Sequence, residues 1–313
     1  MAEPAIVEAM KAAYYEKFGE PDVIEIGDQT APEVQDNHVI IRIRAAALGF
    51  WDIKQMRGVF GDLPFPVIPS YEVVGVVVVG YGDLQQGDNV VASLQFPGGG
   101  LAQFVRAPVK RTILKPPQLT AVEAAGLVVT GGTALQGLDD RAGLQDHEWL
   151  LVTAAAGGVG TAAVQIGRNR GARVIGVASS DNHDLLRDLG AVAAFDYHDP
   201  DWPSQVRELV PDGVDVLFDA SGGDTGAAAV RTVRAGGRAL LIAGAHDDVP
   251  DGVKAIEYSA DTNGPRLQAV MDLAARGQLR AVIDSTHALD DAQSALERVA
   301  GRRNHGRVVV LVE

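Results

Sequence analysis

The sequence predicts an α/β protein of two parts, a β-rich region of short strands and a doubly wound parallel sheet covered by helices on both faces. Two observations carry this. From residue 149 onward, apolar runs near 149–154, 172–177, 192–195, 214–219 and 238–243 alternate with helix-patterned segments near 159–169, 181–189, 203–209 and 225–235. That alternation calls for parallel strands joined by crossover helices. The first third of the chain instead shows brief β-branched stretches cut by Gly and Pro, the pattern of a compact, partly open barrel. At 313 residues the chain also exceeds the roughly 100–200 residues of an average domain, so two domains are expected.

In chain order, the first strands are Lys11-Ala12-Ala13-Tyr14-Tyr15, Val23-Ile24-Glu25-Ile26 and the alternating Val39-Ile40-Ile41-Arg42-Ile43-Arg44. Residues 50–57 suit one or two helical turns. Pro64, Pro66 and Pro69 stiffen the loop before the β-branched run from Val73 to Val79, and further strands are expected at 89–94 and 101–107. Thr120-x-x-Glu123 has the spacing of a capping box, and Ala124 to Val129 continues as helix. Beyond the parallel sheet, a helix over 265–276 precedes a strand at Arg280-Ala281-Val282-Ile283. An amphipathic helix from Asp290 to Val299 and a strand from Arg307 to Val312 can return to the first domain. The expected organisation is a loosely ordered extension over 1–10, one domain from 11–125 with 286–313, and a second over 126–285.

The most informative stretch is Leu150-Leu151-Val152-Thr153-Ala154-Ala155-Ala156-Gly157-Gly158-Val159-Gly160, where an apolar strand breaks into small residues and a helical pattern follows. Gly157 lets backbone approach a pyrophosphate, Gly160 lets the helix lie close on the strand, and the helix start offers free N–H groups with partial positive charge. Alanine stands at Ala155, where the dinucleotide fingerprint usually begins with glycine. A second apolar strand one helix length later supplies the context the fingerprint requires. The alternative is a merely tight strand-to-helix turn.

Composition narrows the function. Hydrophobic residues at 47% and charged residues at 22% are ordinary for a soluble globular protein. A formal charge of −14 opposes nucleic acid and anionic membrane surfaces. With no cysteine there is no disulfide, thiolate nucleophile or cysteine-ligated zinc, which agrees with a reducing cytoplasm. Residues 1–10 hold no long apolar run and are expected to be neither signal peptide nor membrane span.

Several motifs together resemble the quinone oxidoreductases, the zinc-independent branch of the medium-chain dehydrogenase/reductase superfamily. They are Lys11-Ala12-Ala13-Tyr14 through Phe18-Gly19-x-Pro21, Ala46-Ala47-Leu48-Gly49-Phe50-Trp51-Asp52-Ile53-Lys54, Ile68-Pro69-Ser70-Tyr71-Glu72-Val73-Val74-Gly75 and Gln86-Gly87-Asp88-Asn89-Val90. Later pieces are Gly132-Thr133-Ala134, the glycine turn, Phe218-Asp219-Ala220-Ser221-Gly222-Gly223 and Gly236-Gly237-Arg238. The resemblance implies a GroES-like catalytic domain built from the N-terminal part and the tail, a Rossmann domain, NADP(H) as cofactor, and a homodimer. Zinc-dependent relatives carry a Cys near Gly49 and a His-Glu pair at Tyr71-Glu72. This chain lacks both donors, and Glu72 alone cannot build a tetrahedral nitrogen/sulfur site.

The resemblance also suggests roles. Lys54 donates to the nicotinamide ribose or a substrate carbonyl, unless it is a solvated helix lysine. Asp52 braces its turn or takes part in chemistry, and Tyr71 is either a donor to substrate or a packing residue. The cofactor candidates are Thr133, the turn residues Ala156, Gly157, Gly158, Val159 and Gly160, then Ser179, Ser180, Asn182, Ser221 and Arg307. Thr133 has the alternative of a plain helix-start hydroxyl, and Arg307 that of a surface arginine on the last strand. Relatives carry Asn at Gly49 and often Tyr at Phe60. NAD sites place a carboxylate about 20 residues past the glycine turn; here Ala178 and Ser179 fall there, so Ser179 and Ser180 favour NADPH unless they only cap the next helix. Asn182 stands where many relatives have a phosphate-binding Lys, and Asp181 can disturb a phosphate. The expected activity is hydride transfer to a quinone or activated enone without metal. The alternatives are a crystallin-like or other cofactor-binding protein without turnover, and an enoyl-thioester reductase.

Overall fold

The computed structural model describes residues 8–312. The chain divides into two compact units, one running to Val129 and taking in Thr262–Arg276 and Arg280 onward, the other comprising Thr130–Asp261 and Gly277–Leu279. Expected boundaries at 125/126 and 285/286 therefore differ from those observed, most of all at the second. The reason lies in the helix after Thr262: the Arg111 guanidinium donates to the Thr262 carbonyl at 3.1 Å, and a Cβ on Gly264 would stand 2.9 Å from the Lys110 carbonyl. That close seat ties the segment to the first unit.

In the first unit β1 (Ala9–Tyr14) and β2 (Glu25–Thr30) form an antiparallel pair. Residues 1–7 of the expected extension lie outside the described residues, while Ala9 and Met10 already belong to β1. Val23 lies in a 3-10 turn at Pro21–Val23, so β2 starts later than expected. The main sheet is built on β3 (His38–Leu48), followed by helix α1 (Phe50–Met56), β4 (Glu72–Val79), β5 (Asn89–Ser93), β6 (Phe104–Pro108) and β7 (Thr112–Leu114). Helix α2 (Ala121–Ala125) begins with the expected capping box: the Thr120 hydroxyl accepts from the Glu123 N–H, and the Glu123 carboxylate accepts from the Thr120 N–H. The expected continuous helix breaks at Gly126 and resumes as α3 (Val128–Leu135), which passes into a π-helical turn at Gln136–Ala142.

The second unit holds strands β8 (Trp149–Val152), β9 (Arg173–Val177), β10 (Ala193–Phe195), β11 (Val214–Asp219), β12 (Val233–Leu241) and β13 (Lys254–Glu257), with helices α4 (Gly158–Asn169), α5 (His183–Leu189), α6 (Trp202–Leu209) and α7 (Gly223–Val230) between them. All pairs are parallel, in the order β10-β9-β8-β11-β12-β13. Sequence order reverses between β8 and β11, the switch point at whose carboxyl edge open α/β sheets bind ligands. Leu150, Leu151, Val174, Ile175, Val216 and Leu217 are all buried, as a sheet covered on both faces requires. Two boundaries move: α7 stops at Val230, and β12 starts at Val233 instead of 238.

The tail consists of α8 (Gly264–Ala275), β14 (Ile283–Ala288), α9 (Ala292–Ala300) and β15 (Arg307–Leu311). The first unit's seven-stranded sheet runs β14-β15-β3-β4-β5-β7, with β6 also on β3. β3 reaches three partners because β6 pairs with residues 38–42 and β15 with 45–48, while β4 runs along the other side. Ile41, Ile43, Leu48, Ile53, Met56, Leu296, Val308 and Val310 share one core. The strand expected at 280–283 lies instead at Ile283–Ala288, where pairing with β15 begins opposite Arg307.

Candidate active site

At the switch point, α4 starts at Gly158 with Gly157 as its N-cap. A Cβ on Gly160 would stand 2.2 Å from the Ala154 carbonyl oxygen and 2.7 Å from the Ala155 Cα, so only glycine lets this helix meet the turn. At Gly157 the nearest atom to such a Cβ is the same carbonyl, at 3.2 Å. The alanine that opens the fingerprint is accommodated by β9: a Cβ on Gly176 would stand 3.2 Å from the Ala155 Cβ, so the missing side chain is the one opposite. Ala155 N–H donates to the Val177 carbonyl and ties the turn to β9. The first helical bond runs from Thr161 N–H to the Gly157 carbonyl at 2.9 Å, which leaves the N–H groups of Gly158, Val159 and Gly160 ahead of it. This cradle fits a pyrophosphate, with Ala156 beside it in the turn.

Next to the cradle lies a buried polar network that sequence reading missed. Asp219, 0% exposed at the end of β11, accepts from the Thr153 hydroxyl at 2.5 Å, the Ser221 hydroxyl at 2.9 Å, and the N–H groups of Ser221 and Gly222. Its other oxygen lies 2.8 Å from His246 Nε2. Burial pushes the Asp219 carboxyl up, but the hydrogen bonds from Thr153, His246, Ser221 and Gly222 together hold it below the usual range. Gly226 on α7 makes room, since a Cβ there would stand 2.4 Å from Asp219 Oδ2 and 2.5 Å from His246 Nε2. Thr153 and Asp219 had one signal: each is the polar residue ending an apolar strand, on neighbouring strands. His246 had none.

Ser179 and Ser180 follow β9 as expected, and Ser179 makes no side-chain cap of the next helix. Asn182 is 5% exposed, and its amide nitrogen donates to the Ser179 hydroxyl at 2.7 Å. It therefore positions Ser179 instead of presenting its own amide where a phosphate-binding lysine would stand. Thr133 is buried on α3, and its carbonyl accepts from the Tyr258 hydroxyl at 2.8 Å.

In the first unit α1 and β4 bring two carboxylates near one guanidinium. Asp52 accepts from the N–H groups of Gly49 and Ser70, both at 2.8 Å, which fixes the start of α1 and the left-handed Ser70. These two bonds give Asp52 a bracing part in the turn. Glu72 accepts from the Val129 N–H at 2.8 Å and pairs with the Arg307 guanidinium. Arg307 is thus buried and engaged by Glu72, which corrects the surface reading. A Cβ on Gly49 would lie 2.8 Å from Arg307 Nη1, so the guanidinium uses space that a larger residue would contest. Burial pushes Glu72 up to about 7, with Arg307 opposing, and raises Asp52 against the N–H groups of Gly49 and Ser70.

On the same helix Lys54 is half-buried, and among the described residues no ion pair involves it. Tyr71 carries a hydroxyl shut away from solvent without a hydrogen-bond partner, and burial raises its pKa. Its ring meets Trp51 edge-on at 6.4 Å; Trp51 stacks on Phe60 at 4.1 Å, and Phe60 meets Phe96 edge-on at 6.3 Å. Trp51 and Phe96 remain 49% and 50% exposed. A partly open aromatic cluster of stacked and edge-on rings therefore includes Tyr71, with Trp51 one helical turn before Lys54 on α1. The donor set here does not fit zinc: Gly49 and Tyr71 offer no nitrogen or thiolate, and Glu72 is held by Arg307 and Val129.

Comparison with known proteins agrees with this architecture. The alcohol dehydrogenase GroES-like domain model matches residues 35–118, and the zinc-binding dehydrogenase model matches 158–263. The chain is 33% identical to a 2-methylene-furan-3-one reductase of Solanum lycopersicum over 98% of its own length and 80% of the relative's. It is 33% identical to a chloroplastic NADPH-dependent alkenal/one oxidoreductase of Arabidopsis thaliana, over 90% and 74% of the two lengths. A solved structure described as an NAD-dependent alcohol dehydrogenase superposes with a TM-score of 0.91 at 28% identity, covering 97% of this chain and 100% of the other. The chain belongs to the zinc-independent quinone oxidoreductase family of the medium-chain dehydrogenase/reductase superfamily.

Proposed function

We propose that the protein reduces a quinone or an activated enone with hydride from a nicotinamide dinucleotide, without metal. The observation that carries this reading is the engagement of Glu72 by Arg307 and by the Val129 N–H, beside a Gly49 and a Tyr71 that offer no metal donor. Without a Lewis acid the acceptor must stabilise its own developing charge, as quinones and enones do by delocalising it onto oxygen. The names of the reductase relatives support the same chemistry.

A bound dihydronicotinamide supplies the hydride. The chain's own residues do the rest. Gly157, Gly158, Val159 and Gly160 would hold the pyrophosphate at the N-terminus of α4. Ser179 and Ser180 offer hydroxyls to the adenosine ribose, and this supports NADPH over NADH by a small margin. Ser221 serves indirectly, since its hydroxyl is committed to Asp219. Thr133, by the family resemblance, would meet the nicotinamide. Lys54 is the donor to a carbonyl oxygen, Tyr71, its hydroxyl shut away from solvent, packs edge-on against Trp51, and Trp51, Phe60 and Phe96 offer aromatic contact to a flat acceptor.

A homodimer and a cytoplasmic location complete the proposal; no helix among the described residues is long and apolar enough to cross a membrane. The test is NADPH oxidation against a panel of quinones, enones and enoyl thioesters. Steady turnover of the first two classes supports the proposal, whereas tight dinucleotide binding with no turnover of any acceptor returns the chain to a binding role.

A further inference from the structure

Ser180 stands about 20 residues past Gly160, the position from which dinucleotide sites read the adenosine ribose with a carboxylate. The sequence puts no acid on the β9 end before Asp181. The fold nevertheless delivers one from the neighbouring strand. β10 pairs in parallel with β9, Phe195 opposite Val177, and Ala178 N–H donates to the Phe195 carbonyl at 3.1 Å. Asp196 follows directly. Its Oδ2 accepts from the Ser180 N–H at 3.1 Å, and its Oδ1 accepts from the His198 N–H at 2.9 Å and lies 2.8 Å from His198 Nδ1. The His198 N–H lowers this carboxyl most; burial opposes, and further bonds from the His198 ring and Ser180 help hold it down at about 2, so it is ionised at neutral pH. With its side chain 23% exposed, the group is fixed in place yet open to a ligand.

Apart from the His198 ring, which bonds Oδ1, the adjoining sequence offers it no partner with a fixed positive charge. Residues 174–186 and 188–206 contain neither Lys nor Arg, and Arg187 is paired with Asp184 at 2.7 Å. Asp181 adds a second exposed carboxylate one residue past Ser180. Asn182 is turned inward onto Ser179. A 2′-phosphate laid against Ser179 and Ser180 would meet hydroxyls, but also a charge of its own sign held at the Ser180 backbone.

We propose that Asp196 is the specificity-determining residue of the dinucleotide site, its carboxylate favouring an unmodified adenosine ribose and opposing a 2′-phosphate. The assignment rests on the reading of the glycine turn as a dinucleotide cradle. On this assignment any NADPH advantage is small, because Ser179 and Ser180 attract the phosphate and Asp196 repels it.

Asp196→Asn removes the charge and keeps the shape: its single amide oxygen can still accept from the His198 N–H, while its NH2 group replaces Oδ2 opposite the Ser180 N–H. The measurement is the Kd of NADPH and of NADH by fluorescence titration of the full chain at fixed ionic strength, for the native protein, Asp196→Asn and the control Asp212→Asn, an exposed carboxylate elsewhere in the second unit. Asp196→Asn should tighten NADPH roughly 10-fold or more, the scale of one like-charge contact in a partly solvated site, and leave NADH within about 2-fold. Asp212→Asn should leave the ratio unchanged. Equal changes for both dinucleotides, or none, would overturn the assignment and make Asp196 a brace of the β9–β10 edge. Failure of the native protein to bind either dinucleotide would instead overturn the cradle reading, and the assignment with it.

Discussion

The two units each bury a carboxylate, and they treat it in opposite ways. Asp219 is met by two hydroxyls, two N–H groups and a histidine ring, enough to hold its carboxyl below the ordinary range despite complete burial. Glu72 receives one N–H and one guanidinium, with the Asp52 charge nearby, and its carboxyl rises to about 7. The difference teaches that burial alone does not set the state of a buried acid; the number of donors turned toward it does. At the switch point the fold surrounds the acid with donors. In the first unit one arginine serves where a metal would need several ligands.

The largest effect should follow from removing that arginine. Arg307→Met leaves Glu72 and Asp52 buried without a counter-charge, and it should cost about 3–5 kcal/mol of stability at pH 8, read by urea unfolding. A loss under about 1 kcal/mol would mean that the pair is solvated in solution.

The pH dependence of stability comes next, and its sign differs between the clusters. Glu72 is raised in the fold, so the folded chain binds more protons than the unfolded one between about 4.5 and 7, and stability falls as pH rises through that window, by about 3 kcal/mol at most. Asp219 is lowered, so its contribution is present above the usual aspartate range and is lost as pH falls through its depressed value. Glu72→Gln should flatten the decline between pH 4.5 and 7 and leave the acid limb intact. An unchanged slope would assign the decline to another group.

The smallest effect is expected at the donor-rich acid. Asp219→Asn keeps the shape and loses charge-assisted bonds, which should cost about 1–3 kcal/mol and weaken dinucleotide binding through the Ser221 and Gly222 backbone. A larger loss than for Arg307→Met would reverse the comparison.

Most of the second unit was legible because a sheet covered on both faces demands apolar runs, and Leu150 to Val152, Val174 to Val177 and Val216 to Phe218 provide them. The edge strand β13 was not: Lys-Ala-Ile-Glu has a single branched apolar residue and is mostly exposed, so its state comes from β12 pairing alone. The glycine turn was readable because steric limits act within ten residues of chain. Arg307 was misread because its partner Glu72 lies 235 residues away, and no local pattern reports such a pair. The same holds for His246 and for Asp196, which act on groups supplied by other strands.

The central claim, direct hydride transfer without metal, is tested most directly by single turnover with NADPH deuterated at both C4 positions of the nicotinamide, with and without a strong chelator. The account predicts deuterium on the reduced carbon of an enone at a rate that the chelator does not change. Product without deuterium, or turnover that stops on chelation and returns with zinc, would contradict it.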